Sequence, residues 1–108
     1  MEPTLQQVLG ANAIQNATTI TITKADLPTL TPSANNTAES LVTAILLKSK
    51  AVLLKSTFDT NMDQSIYIES GYPTFTTKGT NNDAYRVDQL VVNLAKPDTG
   101  AIIDADDY

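Results

Sequence analysis

Two short stretches of the chain set a hydroxyl beside an amine, Lys48-Ser49-Lys50 and Lys55-Ser56. A lysine that gives up its proton can activate a serine for nucleophilic attack, so these pairs are the first candidates for covalent chemistry. Sequence neighbours are poorly placed for it. Consecutive residues point in different directions on a helix and to opposite faces of a strand. Solvated lysines flanking an apolar element account for both stretches. The chain has no histidine to serve as a general base near neutral pH and no cysteine to supply a thiolate. Carboxylates converging in a pocket would be a third route, but that convergence is a property of the fold. No catalytic residue is assigned, and the expectation is a protein that is not an enzyme.

Metal chemistry has two candidates. Asp59-Thr60-Asn61-Met62-Asp63 has the spacing that opens an EF-hand calcium loop. That loop needs Gly at its sixth position and Glu at its twelfth. Gln64 and Ser70 stand there instead, and a polar turn before a strand fits better. The acidic end, with Asp98, Asp104, Asp106, Asp107 and the terminal carboxylate, has the ligands for Ca²⁺ or Mg²⁺ but reads more simply as a solvated or partner-binding tail. Asn16-Ala17-Thr18 and Asn35-Asn36-Thr37 match glycosylation acceptors, which matter only on a secreted chain. The four glycines form no phosphate-cradling loop. No metal-binding or cofactor-binding residue is assigned.

Composition narrows the partners. The chain has 108 residues, the size of one domain, with a core that is adequate but thin. Without cysteine or histidine it has neither disulfides nor a structural zinc site to add stability. Charged residues make up 18%, against about 25% in average domains. Thr, Asn, Ser and Gln carry the polar share. They hydrogen-bond without the desolvation cost of charges, so another protein can cover such a surface. Threonine also suits strands. The net charge is −5, Arg86 is the single arginine, and the six lysines form no basic face, so nucleic acid is not an expected partner. Met1-Glu2-Pro3 does not open a signal peptide, and Leu41–Leu54 is too short and too interrupted by Lys48 and Lys50 to span a bilayer. Neither a membrane nor a small-molecule substrate is expected.

The elements that would position these groups follow from periodicity. Residues 3–9 suit a short helix, with Pro3 in its first turn and Gly10 as its stop. Thr18–Thr23 alternates as a strand, with Ile20 and Ile22 on one face. Residues 24–36, with Pro28 and Pro32, read as an extended loop. Asn36 or Thr37 caps a helix over 37–49, whose stripe holds Leu41, Ile45 and Lys48 beside Val42 and Leu46. Residues 51–58 allow helix or strand, and Ser56-Thr57-Phe58 favours strand. Strands are expected over 65–69, 74–78 and 85–94, with a polar turn at 79–83. The order predicts an α+β fold, a mainly antiparallel sheet of four to five strands with one helix on a face. Ile20, Ile22, Leu41, Ile45, Ile66, Ile68, Leu90 and Val92 should form its core. Tyr67, Tyr72, Phe75 and Tyr85 fall in the strand block, where they serve cross-strand packing or an exposed recognition face for carbohydrate or protein.

The Thr/Asn-rich strands, the helix entry from Asn35 to Glu39, the absent Cys and His and the small size together resemble a small structural protein of tailed bacteriophage virions, in tail, baseplate or capsid cement. The resemblance lies in overall style across the chain and in no diagnostic motif. It implies a structural role in a particle, with copies of itself and other structural proteins as partners. The location would be the virion, or otherwise the cytoplasm. Within a single domain over 1–108, residues 1–16 and 98–108 are then expected as arms, and they and the loop 24–36 should contact other chains. A chelator should leave the melting temperature unchanged. A fall of more than a few degrees would bring back the acidic tail or Asp59–Asp63 as a cation site.

Overall fold

A computed structural model describes residues 1–98, 100 and 102–108. Helix α1 (Leu5–Leu9) is closed at its start by Thr4, whose hydroxyl accepts from the Gln7 N–H at 3.1 Å while the Thr4 N–H donates to Gln7 Oε1 at 2.9 Å. Pro3 therefore precedes the cap instead of entering the first turn. Gly10 ends the helix at φ 123°, ψ 149°, a region open in practice only to glycine. A Cβ there would also lie 2.8 Å from Asp26 Cβ. That close approach lets Asp26 accept from both the backbone and side chain of Asn12, at 3.0 and 3.1 Å.

The expected strand 18–23 shrinks to β2 (Ile20–Thr21), paired antiparallel with β1 (Ile14–Gln15). Asn16 Oδ1 turns the chain between them by accepting from the N–H groups of Thr18 and Thr19, both at 2.9 Å. Among the described residues no third strand joins this pair, and Ile20 is 54% exposed and Ile22 only half-buried. Residues 24–36 begin with a 3₁₀ turn (Lys24–Asp26) and hold one core residue, Leu27. The rest of the segment is fastened by Lys24 Nζ to the Ser33 carbonyl at 2.7 Å and by Asn36 to Ser33 and Thr31.

Helix α2 (Ala38–Lys50) starts where the capping signals place it, at Thr37, which accepts from Ser40 N–H at 3.1 Å. Its buried positions are Ala44 and Ser49, while Leu41 and Ile45 are half-buried and Val42 faces solvent. Both α1 and β3 pack against it, which shifts the covered stripe from the one expected. Residues 51–58 do not form the strand that was favoured. A turn closed by Leu53 N–H on Ser49 carbonyl leads into α3 (Lys55–Thr60). The helix wins because Lys55 and Asp59 pair at i,i+4 and the Thr57 hydroxyl donates to the Leu54 carbonyl at 2.9 Å. The same geometry lays Phe58 on Tyr67, with ring centroids 4.7 Å apart.

The strand block is one long antiparallel ribbon with a break. Strand β3 (Ile66–Ser70) pairs with β6 (Leu90–Leu94), and β4 (Thr74–Lys78) pairs with β5 (Asp83–Val87). The expected strand 85–94 is thus divided at Asp88-Gln89. Three residues, Gly71 to Pro73, face two, Asp88 and Gln89, so the register shifts by one across the break. The α+β class with antiparallel pairing holds, but the described strands form three two-stranded ladders in place of one sheet of four to five. No helix is long and apolar enough to cross a membrane among the described residues.

The core is accordingly small: Ala13, Leu27, Ala44, Leu53 and Ile68, with Ser49 and Gln64 as buried polar members. Of the eight expected core residues only Ile68 is buried, and Ile20 and Val92 are exposed, because no further strand among the described residues covers them. The ends rest on this body. α1 packs on α2, the Met1 amine reaches Asp63 at 2.9 Å, and Lys96 Nζ holds the Ile102 carbonyl at 2.6 Å and Asp107 at 2.7 Å. Gly10→Ala should destabilise the chain by about 2 kcal/mol or more, from backbone strain and the Asp26 clash together. Thermal or urea unfolding reads this directly, and an unchanged midpoint would refute the account of Gly10.

Candidate interaction surface

The groups with chemical potential are dispersed, and several of them are already bonded. Ser49 is buried, and its hydroxyl donates to the Ile45 carbonyl at 3.0 Å and lies 3.3 Å from the Val8 carbonyl. A hydroxyl held this way anchors α2 to α1 and is closed to a substrate. Lys55 turns away from Ser56 to pair with Asp59. That hydrogen bond, the largest influence, raises the Lys55 pKa above its ordinary 10.5 against an opposing desolvation, and the negative charge of Asp59 adds to the rise. A catalytic lysine needs the opposite shift.

The residues of the calcium-like stretch separate in the same way. Asp59 lies in α3, while Asp63 meets the Met1 amine, and Asn61 Oδ1 accepts from that amine at 3.1 Å and from the Asp63 N–H at 3.1 Å. In the tail, Asp107 is paired with Lys96, and Asp104 caps the final 3₁₀ turn (Ala105–Asp107) by accepting from Asp106 N–H at 3.0 Å. Among the described residues no three acidic side chains gather as a metal-holding group. The cleft between Thr29-Leu30 and the start of α2, about 280 Å³, contains one ionisable side chain, Glu39. A lone carboxylate in an open cleft has no partner for acid–base work.

What the fold does display is uncovered strand surface. Every strand residue of the β4–β5 hairpin is exposed. Phe75 is 75% and Tyr72 87% exposed, while Tyr67 is taken up by Phe58. Phase matters here: Thr76 pairs with Tyr85 and Phe75 with Arg86, so Phe75 and Tyr85 point to opposite faces of the ribbon. The aromatic residues form no single platform. A two-stranded ribbon is marginally stable by itself in water and gains from a further strand or layer.

The two edges of the β3–β6 ladder differ. Gly71 N–H donates to the Gln89 carbonyl and Ala95 N–H to the Ser65 carbonyl, which sets the phase of the ladder. By alternation, residues 91 and 93 turn their backbone groups toward β3, and Leu90, Val92 and Leu94 turn theirs outward. On the β3 side, Ile68 N–H finds the Leu53 carbonyl at 2.9 Å, so that edge is partly sealed. No described backbone group bonds the outer edge of β6. Sequence reasoning saw the alternation of 90–94 but not which edge stays open, because the sealing bond comes from a connector read as a strand.

No protein-family model, curated protein or solved structure matches the chain. The stability difference between the chain and Lys55→Met should be constant from about pH 6 to 9. A raised lysine contributes fully below its unfolded value and loses that contribution as pH climbs through the higher folded one, so the difference should close only above about pH 10.5. A gap that instead widens from about pH 8 upward would mean a depressed lysine.

Proposed function

We propose that this chain is a non-enzymatic structural subunit, completed by packing into a larger oligomer, and that its setting is the virion of a tailed bacteriophage. The observation that carries the assembly reading is surface area. The chain exposes 8072 Å², whereas a folded monomer of 11.6 kDa exposes about 5,800 Å². The excess of roughly 2,200 Å² exceeds the 800 Å² or so that each partner contributes to a standard interface. Its radius of gyration, 16.6 Å, likewise exceeds the roughly 13 Å of a compact domain of this length. Much of the additional surface is the ribbon, with exposed Phe75, Tyr85, Val87, Val91, Val92 and Leu94.

A low charge content and Thr/Asn-rich strands allow such surface to be buried with little desolvation cost. The same features carry the resemblance to small tail, baseplate or cement proteins, and the virion setting rests on it. The alternative, a recognition module using an aromatic strand face, is less well supported, since Phe75 and Tyr85 lie on opposite faces. Sedimentation or light scattering of the purified chain should give a mass that is a multiple of 11.6 kDa at micromolar concentration. A strict monomer at several hundred micromolar would refute self-assembly.

A further inference from the structure

We propose that the open edge of β6 pairs with β6 of a second copy about a two-fold axis at Val92, joining the two ladders into one four-stranded antiparallel sheet in the order β3-β6-β6-β3. The inference rests on the assembly reading and names its surface and its partner. The outward backbone groups of Leu90, Val92 and Leu94 fit this arrangement. With the axis at Val92, that residue faces its own counterpart, and Leu90 of each copy faces Leu94 of the other. All three pairs then exchange both N–H···O bonds, since each member already points its N–H and C=O out of the ladder.

The side chains favour a second copy over an unrelated strand. Of the four five-residue strands, β3 contains Glu69, β4 Lys78, and β5 Asp83 and Arg86, whereas β6 has no charged residue. Leu90-Val91-Val92-Asn93-Leu94 is nearly symmetric about its centre. The two-fold would set Leu on Leu and Val on Val along one face, the face that already carries Ile66 and Ile68, and Val91 beside Asn93 on the other. Val92 is 45% exposed although it shares its face with buried Ile68, which is the expected state of a strand missing its next neighbour. An uncharged, proline-free edge of this kind is an aggregation site if nothing covers it.

Area and charge agree. The roughly 2,200 Å² of excess surface exceeds one standard interface, enough for the paired edges and for the hairpins beside them. Counting on from this pairing brings Arg86, which the chain itself pairs with Asp88 at 2.9 Å, to the side of Asp98 of the second copy, so each hairpin lies toward the other's acidic end.

The absence of cysteine makes the test clean. Directly paired residues of this type stand about 5.5 Å apart at Cα, within the span of a disulfide. Val92→Cys should therefore convert to a covalent dimer under mild oxidation, read on a non-reducing gel. Leu90→Cys should not link to itself, because four residues of offset separate the two copies by roughly 13 Å. An equimolar mixture of Leu90→Cys and Leu94→Cys should link. Circular dichroism of the reduced variants checks that each is folded. If the unmodified chain is oligomeric while Val92→Cys links no better than Leu90→Cys, the edge inference is wrong and the assembly reading stands. If the unmodified chain associates only with a different protein, the edge inference is wrong and the assembly reading again stands; if the chain is a strict monomer, the inference falls with the self-assembly on which it rests.

Discussion

The Ile68 peptide is the point on which the rest of the structure depends. Its side chain is one of the five buried apolar ones, its N–H closes on the Leu53 carbonyl, and its strand holds β6 in register through Val92. One residue thus joins the connector after α2, the core and the ribbon. The bond from Leu53 also decides the asymmetry of the ladder. It occupies the outer edge of β3 and leaves the outer edge of β6 to find bonds elsewhere. Unpaired backbone groups at a sheet edge are tolerated in water but invite another strand.

Several of the polar side chains that looked reactive serve local structure. Ser49 ties α2 to α1, Asp59 steadies the first turn of α3 through Lys55, and Asp63 neutralises the Met1 amine. Gln64, buried and easily overlooked, donates to the Leu54 and Ile66 carbonyls at 3.0 and 2.8 Å, holding the entry of α3 against the start of β3. A small domain without disulfides has little apolar area to hold its loops, so hydrogen bonds from Asn, Asp, Gln and Thr do that work.

The same shortage explains the shape. Five buried apolar residues, none of them large and fully enclosed, organise α1, α2, α3 and β3. The ribbon extends beyond them, and the overall dimensions reach 49 × 35 × 25 Å. Gly71 stands at the break, packed closely against the Gln89 side chain. Below the break the ladder leans on the body. Above it the hairpin stands on backbone pairing and on local contacts such as Lys78 over the Tyr85 ring. An extended element of that kind leaves most of its side chains in solvent.

Local signals in the sequence were enough for α1 and α2, since capping and stop residues act within a few positions: Thr37 at the start of α2, and Gly10 at the end of α1. They were also enough for β3 and β4, and for the expected 79–83 turn except that Asp83 opens β5. The α+β class followed from their order. Three matters were settled only in the tertiary structure. Residues 55–60 became helix through the Lys55–Asp59 pair and the seat for Phe58 on Tyr67, contacts that propensity at Ser56-Thr57-Phe58 does not contain. The strands divided into three ladders because pairing depends on which edges other segments occupy, as Leu53 occupies that of β3. Alternation specifies which side chains share a face, but whether that face is covered depends on a neighbour, and for Ile20 and Val92 the single chain provides none.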